Sequence, residues 1–115
     1  MKFNLYKYKI SSANVQAEFY RMCRNANVNI CLEYKHNDCR FDAVIYDKNN
    51  EILAIIEFKN RWGKYANYVN TDTKQHKKYI SYGIPVIYVL NFSDVGEKFN
   101  VVKNLFMKAV YELVF

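Results

Sequence analysis

The sequence predicts a single α/β domain built on a mixed four-stranded sheet flanked by helices. Three observations predict it. The chain has 115 residues, too few for two separate cores. Its apolar residues recur at helical and then strand-like spacing in the order α-β-β-β-α-β-α. Short polar connections join the first three strands, and a helix separates the third from the fourth. That implies an antiparallel meander followed by a crossover.

Ser12, Ala13 and Asn14 supply cap residues ahead of a helix carrying Val15, Phe19, Met22 and Cys23, which runs to about residue 25. Val28 to Tyr34 alternates, with Val28, Ile30 and Leu32 on one face, and reads as a strand. Lys35 to Asp38 is a turn, and Cys39 to Asp47 is a second strand. Lys48-Asn49-Asn50 makes a tight hairpin, because Asn tolerates positive φ. Asp38 and Asp47 flank the second strand and serve turns. Glu51 to Lys59 is a third strand. Strict alternation puts Ile52, Ala54, Ile56 and Phe58 on one face and Leu53, Ile55, Glu57 and Lys59 on the other.

Asn60 to Asn70 is irregular, aromatic and basic. Thr71 to Tyr82 has a helical pattern that Gly83 stops. Pro85 opens a fourth strand, Val86 to Asn91, whose nearly continuous apolar run predicts a central position. After a turn at Ser93–Gly96, Glu97 to Phe115 forms a helix with the stripe Val101, Val102, Leu105, Phe106, Ala109, Val110 and Leu113.

Composition excludes several classes. A chain 51% hydrophobic and 17% aromatic is not globally disordered, and one Pro with three Gly is not collagen-like or linker-like. No apolar run approaches the ~18 residues of a membrane span. The N-terminus sets Lys2, Lys7 and Lys9 among aromatics and lacks a signal peptide's apolar stretch, so a cytoplasmic location is expected. Cys23, Cys31 and Cys39 are an odd set without an export signal, which argues against a disulfide framework. They read as small core or surface residues. A zinc site from Cys31, His36 and Cys39 would lack a fourth ligand.

The net charge is +6. Lys59, Arg61, Lys64, Lys74, Lys77 and Lys78 face one acid, Asp72, so most of that excess lies in one segment. Trp62, Tyr65 and Tyr68 are interleaved with it, a mixture suited to tracking phosphates and stacking on bases or sugars.

The chemistry centres on the third strand. Glu57 and Lys59 end a hydrophobic strand on one face, and Asp42 interrupts an apolar run on the strand before it. A short hairpin joins the two strands, so Asp42 can approach Glu57. Two carboxylates that close repel unless a cation lies between them, and a hard divalent ion with oxygen ligands answers that need.

Asp42, the element Glu57-Phe58-Lys59 and the core order αβββαβ together resemble the PD-(D/E)XK nuclease superfamily. The stretch ILAIIEFKNR, Gln75 on the next helix and GIPVIYVL are similar to archaeal-type Holliday junction resolvases and to stand-alone VRR-Nuc domains. The usual proline before the first acid is Phe41 here. The resemblance covers nearly the whole chain and implies a restriction-endonuclease-like core spanning residues 1–115. It also implies a metal-dependent DNA endonuclease acting on branched or structured DNA. Asp42 and Glu57 would bind Mg2+ or Mn2+ with the Phe58 carbonyl. Glu18, matching a first-helix glutamate, would hold a metal-bound water or a second ion. Lys59 would orient the attacking water or stabilise developing charge, and Gln75 would support the site. Arg61, Lys64, Lys74, Lys77 and Lys78 would contact DNA. His76 is left outside the catalytic set.

The alternative reading is a non-catalytic nucleic-acid-binding module that keeps the nuclease fold. Such modules usually lose an acid or the lysine, and neither is lost here. A homodimer is expected, because concerted cutting of two strands needs two sites and because Val101, Leu105, Val110, Leu113, Val114 and Phe115 form a wide apolar band. The 13 Lys and 14 Asn suit an AT-rich genome, and the small size suits a phage or a mobile element.

Overall fold

The computed structural model describes residues 12–37, 39–59 and 73–114. Helix α1 (Ser12–Asn25) leads into strands β1 (Ile30–His36), β2 (Cys39–Tyr46) and β3 (Ile52–Phe58). Helix α2 (Lys74–Ile80), strand β4 (Val86–Val89), a 3₁₀ turn at Phe92–Asp94 and helix α3 (Val95–Val114) follow. Asparagine makes the early connections. Asn27 at φ 58° ends α1, with the Val28 amide donating to the Cys23 carbonyl at 2.8 Å and the Asn27 amide to Arg24 at 3.1 Å. Asn37 at 56° turns β1 toward β2, and Asn50 at 64° lies in the β2–β3 connection. Asp47 fixes that connection, its Oδ1 accepting from the amides of Asn49 at 2.8 Å and Glu51 at 3.0 Å.

The sheet order is β1-β2-β3-β4, antiparallel except for the parallel β3–β4 pair. The predicted crossover is therefore present, but β4 lies at an edge and not centrally. Its apolar run has another cause: both of its faces are covered. Ile87 and Val89 pack with α1 and α3, while Val86 packs in the cluster holding Tyr79 of α2. Strict alternation on β3 also fails at its start. A register shift at Ile45/Tyr46 leaves Leu53 unpaired, so Ile52 packs on the α2 face and Leu53 on the opposite one.

The main core lies between the sheet and two helices. Val15, Phe19 and Cys23 of α1, with Phe99, Val102 and Phe106 of α3, cover Ile30, Ala43, Ile45, Ala54, Ile56 and Phe58. Phe19 meets Phe58 edge-on at 5.6 Å. Burial pushes the Cys23 thiol up to about 12, as expected of a core cysteine. Among the described residues, the second face carries a smaller cluster. Tyr79 stands edge-on to Phe41 at 4.9 Å, above Cys39, Val44 and Ile55.

Several boundaries differ from expectation. Ser12 to Asn14 lie inside α1, Lys35 and His36 belong to β1, and α2 is the shorter Lys74–Ile80, capped by the Thr73 hydroxyl at the His76 amide. Along α3, Leu105 and Val110 pack against their own chain's core, while Val101, Met107 and Tyr111 are exposed. Cys31 is exposed and Cys39 buried, and no cluster of three metal-ligating side chains occurs among the described residues. No helix among them is long and apolar enough to cross a membrane. Asp38, Arg61, Trp62, Lys64, Tyr65, Tyr68 and the side chains of Leu113, Val114 and Phe115 lie outside the described residues.

Candidate active site

Strands β1 and β2 change faces at the same level. Leu32 packs in the main core and Tyr34 in the opposite cluster, although two residues apart should share a face. Phe41 and Ala43 show the same break. Pairing runs Leu32↔Ala43 and then Tyr34↔Phe41, skipping Glu33 and Asp42 between them. Glu33 sits at φ 53°, a left-handed conformation that re-aims the strand.

That switch turns the end of β2 away from β3. Their ladder stops at Ala43↔Ile56, leaving a fork whose amides need partners. Carboxylates supply them reciprocally. The Asp42 amide donates to Glu57 Oε2 at 2.9 Å, and the Phe58 amide donates to Asp42 Oδ2 at 2.8 Å. Beyond the fork β3 continues with β4, through Glu57↔Tyr88, Phe58↔Val89 and the Lys59 amide to the Val89 carbonyl at 2.9 Å.

The electrostatics follow from burial. Glu57 is 2% exposed. Loss of hydration pushes its carboxyl up to about 7. The hydrogen bond from the Asp42 amide opposes the rise, the adjacent Asp42 carboxylate adds to it, and the Lys59 ammonium offsets part. Excess negative charge in a half-closed fork is the condition a divalent cation relieves. Asp42, Glu57 and the Phe58 carbonyl are a hard oxygen donor set that fits Mg2+ or Mn2+.

Around this pair lie groups from α2 and β4. Tyr79 sits beside Glu57, its hydroxyl donating to the Arg40 carbonyl at 3.2 Å and accepting from Gln75 Nε2 at 3.1 Å. Burial, then the Glu57 charge, pushes the Tyr79 phenol well above its ordinary range. Gln75 thus bonds the tyrosine that stands beside Glu57. Tyr88 feels the same charge, and its hydroxyl bonds His76 Nδ1 at 2.7 Å.

The structure brings together Asp42, Glu57 and Lys59, with Gln75 one residue removed. It does not bring Glu18 to them. That carboxylate, on α1, is held by the Arg21 guanidinium, which lowers its pKa. Lys74, Lys77 and Lys78 are exposed on α2, the helix that also carries Gln75 and Tyr79. Sequence reasoning missed Tyr79 and Tyr88. The i, i+4 spacing of Gln75 and Tyr79 on one helix face was the available signal for the first. A lone polar-tipped residue in the run VIYV was the signal for the second.

No family model matches the chain, and no curated protein or solved structure matches it either.

Proposed function

We propose that the chain is a metal-dependent DNA endonuclease with a restriction-endonuclease-like core, acting on branched or structured DNA as a homodimer. One observation carries the reading: the reciprocal lock of Asp42 and Glu57 at a strand fork, with Lys59 two residues on. Among the described residues, an ion-pair network accounts poorly for the pair: the Lys59 ammonium offsets only part of the rise in the Glu57 carboxyl.

Asp42, Glu57 and the Phe58 carbonyl would hold a divalent ion, whose chemistry would be Lewis-acid activation and charge neutralisation at the phosphoryl group. The residues do the remainder. Asp42 and Glu57 are aimed by the amides they bind, so the donor set is formed before substrate arrives. Lys59 donates a hydrogen bond to the attacking water or to a non-bridging phosphate oxygen as charge grows there. Water oxygen bonds to phosphorus and gives up a proton to solvent, the bond to the leaving sugar oxygen breaks, and that oxygen takes a proton from solvent. Tyr79, fixed by Gln75 and the Arg40 carbonyl, walls the site beside Glu57. Lys74, Lys77 and Lys78 bind neighbouring phosphates, as Arg61 and Lys64 would from the preceding segment.

The test is cleavage of supercoiled plasmid and of a synthetic four-way junction, with Mg2+ or with chelator. Mg2+-dependent cutting that Asp42→Ala abolishes supports the reading. Binding with no cutting under any divalent ion favours the non-catalytic module.

A further inference from the structure

Lys59 follows the end of β3 on a flexible four-carbon stem, so something must aim its ammonium. Its Nζ lies 6.0 Å from the centroid of the Tyr88 ring, within cation–π range. Tyr88 is the parallel partner of Glu57, so its ring stands beside the carboxylate. Tyr88 is itself held, at its backbone by Lys98 and at its ring by His76. Lys98 Nζ, held by Asp94 at 2.9 Å, donates to the Tyr88 carbonyl at 3.0 Å. The His76 ring stacks on Tyr88 at 5.6 Å and 26°, and its Nδ1 bonds the Tyr88 hydroxyl.

We infer that Tyr88 is a positioning residue whose ring face holds the Lys59 ammonium at the Asp42–Glu57 pair, and that His76 locks this ring from α2. The inference rests on the nuclease reading of the same site. His76 occupies the same helix as Lys74, Lys77 and Lys78. Phosphate contact by that helix and the aim of Lys59 therefore belong to one connected unit: α2, His76, Tyr88, Lys59.

Two measurements on the full chain test it. In cleavage kinetics, Tyr88→Leu lowers kcat about 3- to 30-fold, the range expected for a cation–π contact. KM stays within about twofold, since substrate binding is elsewhere. Tyr88→Phe keeps the ring face and restores most of the rate, and His76→Ala falls between. In spectra of protein labelled with ¹³C-lysine, the ring current moves the Lys59 Hε signal upfield in the wild type and in Tyr88→Phe. Tyr88→Leu returns it to the ordinary position. Wild-type kcat in Tyr88→Leu overturns the inference, and so does an ordinary Lys59 signal in an active wild-type nuclease. A shifted Lys59 in a protein that cleaves no nucleic acid overturns the nuclease reading, and with it the catalytic purpose of Tyr88.

Discussion

Asp42 and Glu57 each accept a hydrogen bond from the other's strand: Glu57 Oε2 from the Asp42 amide at 2.9 Å, and Asp42 Oδ2 from the amide of Phe58 at 2.8 Å. The two carboxylates are therefore structural acceptors as well as the proposed metal ligands, and their substitution should separate the two roles.

Asp42→Ala and Glu57→Ala should each lower Mg2+-dependent cleavage by at least ~10²-fold, because each removes a proposed metal ligand. DNA affinity should hold or rise, since an acid facing phosphate is gone. Cleavage and gel-shift titrations on the same preparations check this, and wild-type cutting by either variant would remove the site assignment.

Glu57→Gln should stabilise the metal-free protein. The amide oxygen still accepts from Asp42, while the buried charge is removed. Because burial raises the Glu57 carboxyl from 4.5 to about 7, the folded state binds that proton more tightly than the unfolded one. Its contribution is full below pH 4.5 and is lost as pH rises through about 7. The gain should thus be small at pH 4.5 and reach about 1–3 kcal/mol at pH 8. Urea midpoints in chelator at the two pH values measure it.

Lys59→Ala should reduce turnover far more than binding. Lys77→Ala and Lys78→Ala should do the reverse, each lowering the salt slope of binding by about 0.9 if it neutralises one phosphate. Unchanged affinity and slope in both helix variants would exclude α2 as the DNA-contact helix.

Glu33→Val is a change that strand propensity favours, yet it should cost about 1–2 kcal/mol, because a β-branched residue resists φ 53°. Glu33→Gly should be neutral or stabilising despite losing the exposed ion pair with Arg40. Thermal melts of the two variants give the comparison, with equal melting temperatures arguing against the left-handed conformation.

Sedimentation at micromolar concentration should give about twice 13.8 kDa. Met107→Lys with Tyr111→Lys should return the monomer, as both side chains are exposed on α3. A monomer at every concentration in the wild type would dismiss the dimer.

Much of this was legible in the sequence. Asp42, Glu57 and Lys59 stood out because charged residues interrupt apolar strands, and the order of elements followed from periodicity. The fork itself was not legible. It depends on Glu33 adopting a left-handed conformation, and a glutamate in a strand gives no such signal, unlike the asparagines at 27, 37 and 50. The place of β4 was misread for a related reason: an apolar strand reports coverage of both faces, and helices can cover an edge as fully as neighbouring strands cover a centre. Gln75 was found, but its bond to Tyr79, the tyrosine beside Glu57, depends on a helix phase that the aromatic residue's hydrophobicity conceals.

The fork also constrains how such a chain would decay if selection for its chemistry lapsed. Alanine or glycine at position 42 or 57 leaves a strand amide without its acceptor and lowers stability, so those lineages are disfavoured. Asparagine at 42 and glutamine at 57 keep an acceptor for each backbone amide while removing both charges of the proposed metal site. Neutral drift in the laboratory, selected for soluble expression alone, should therefore accumulate amides at these two positions and almost nothing else.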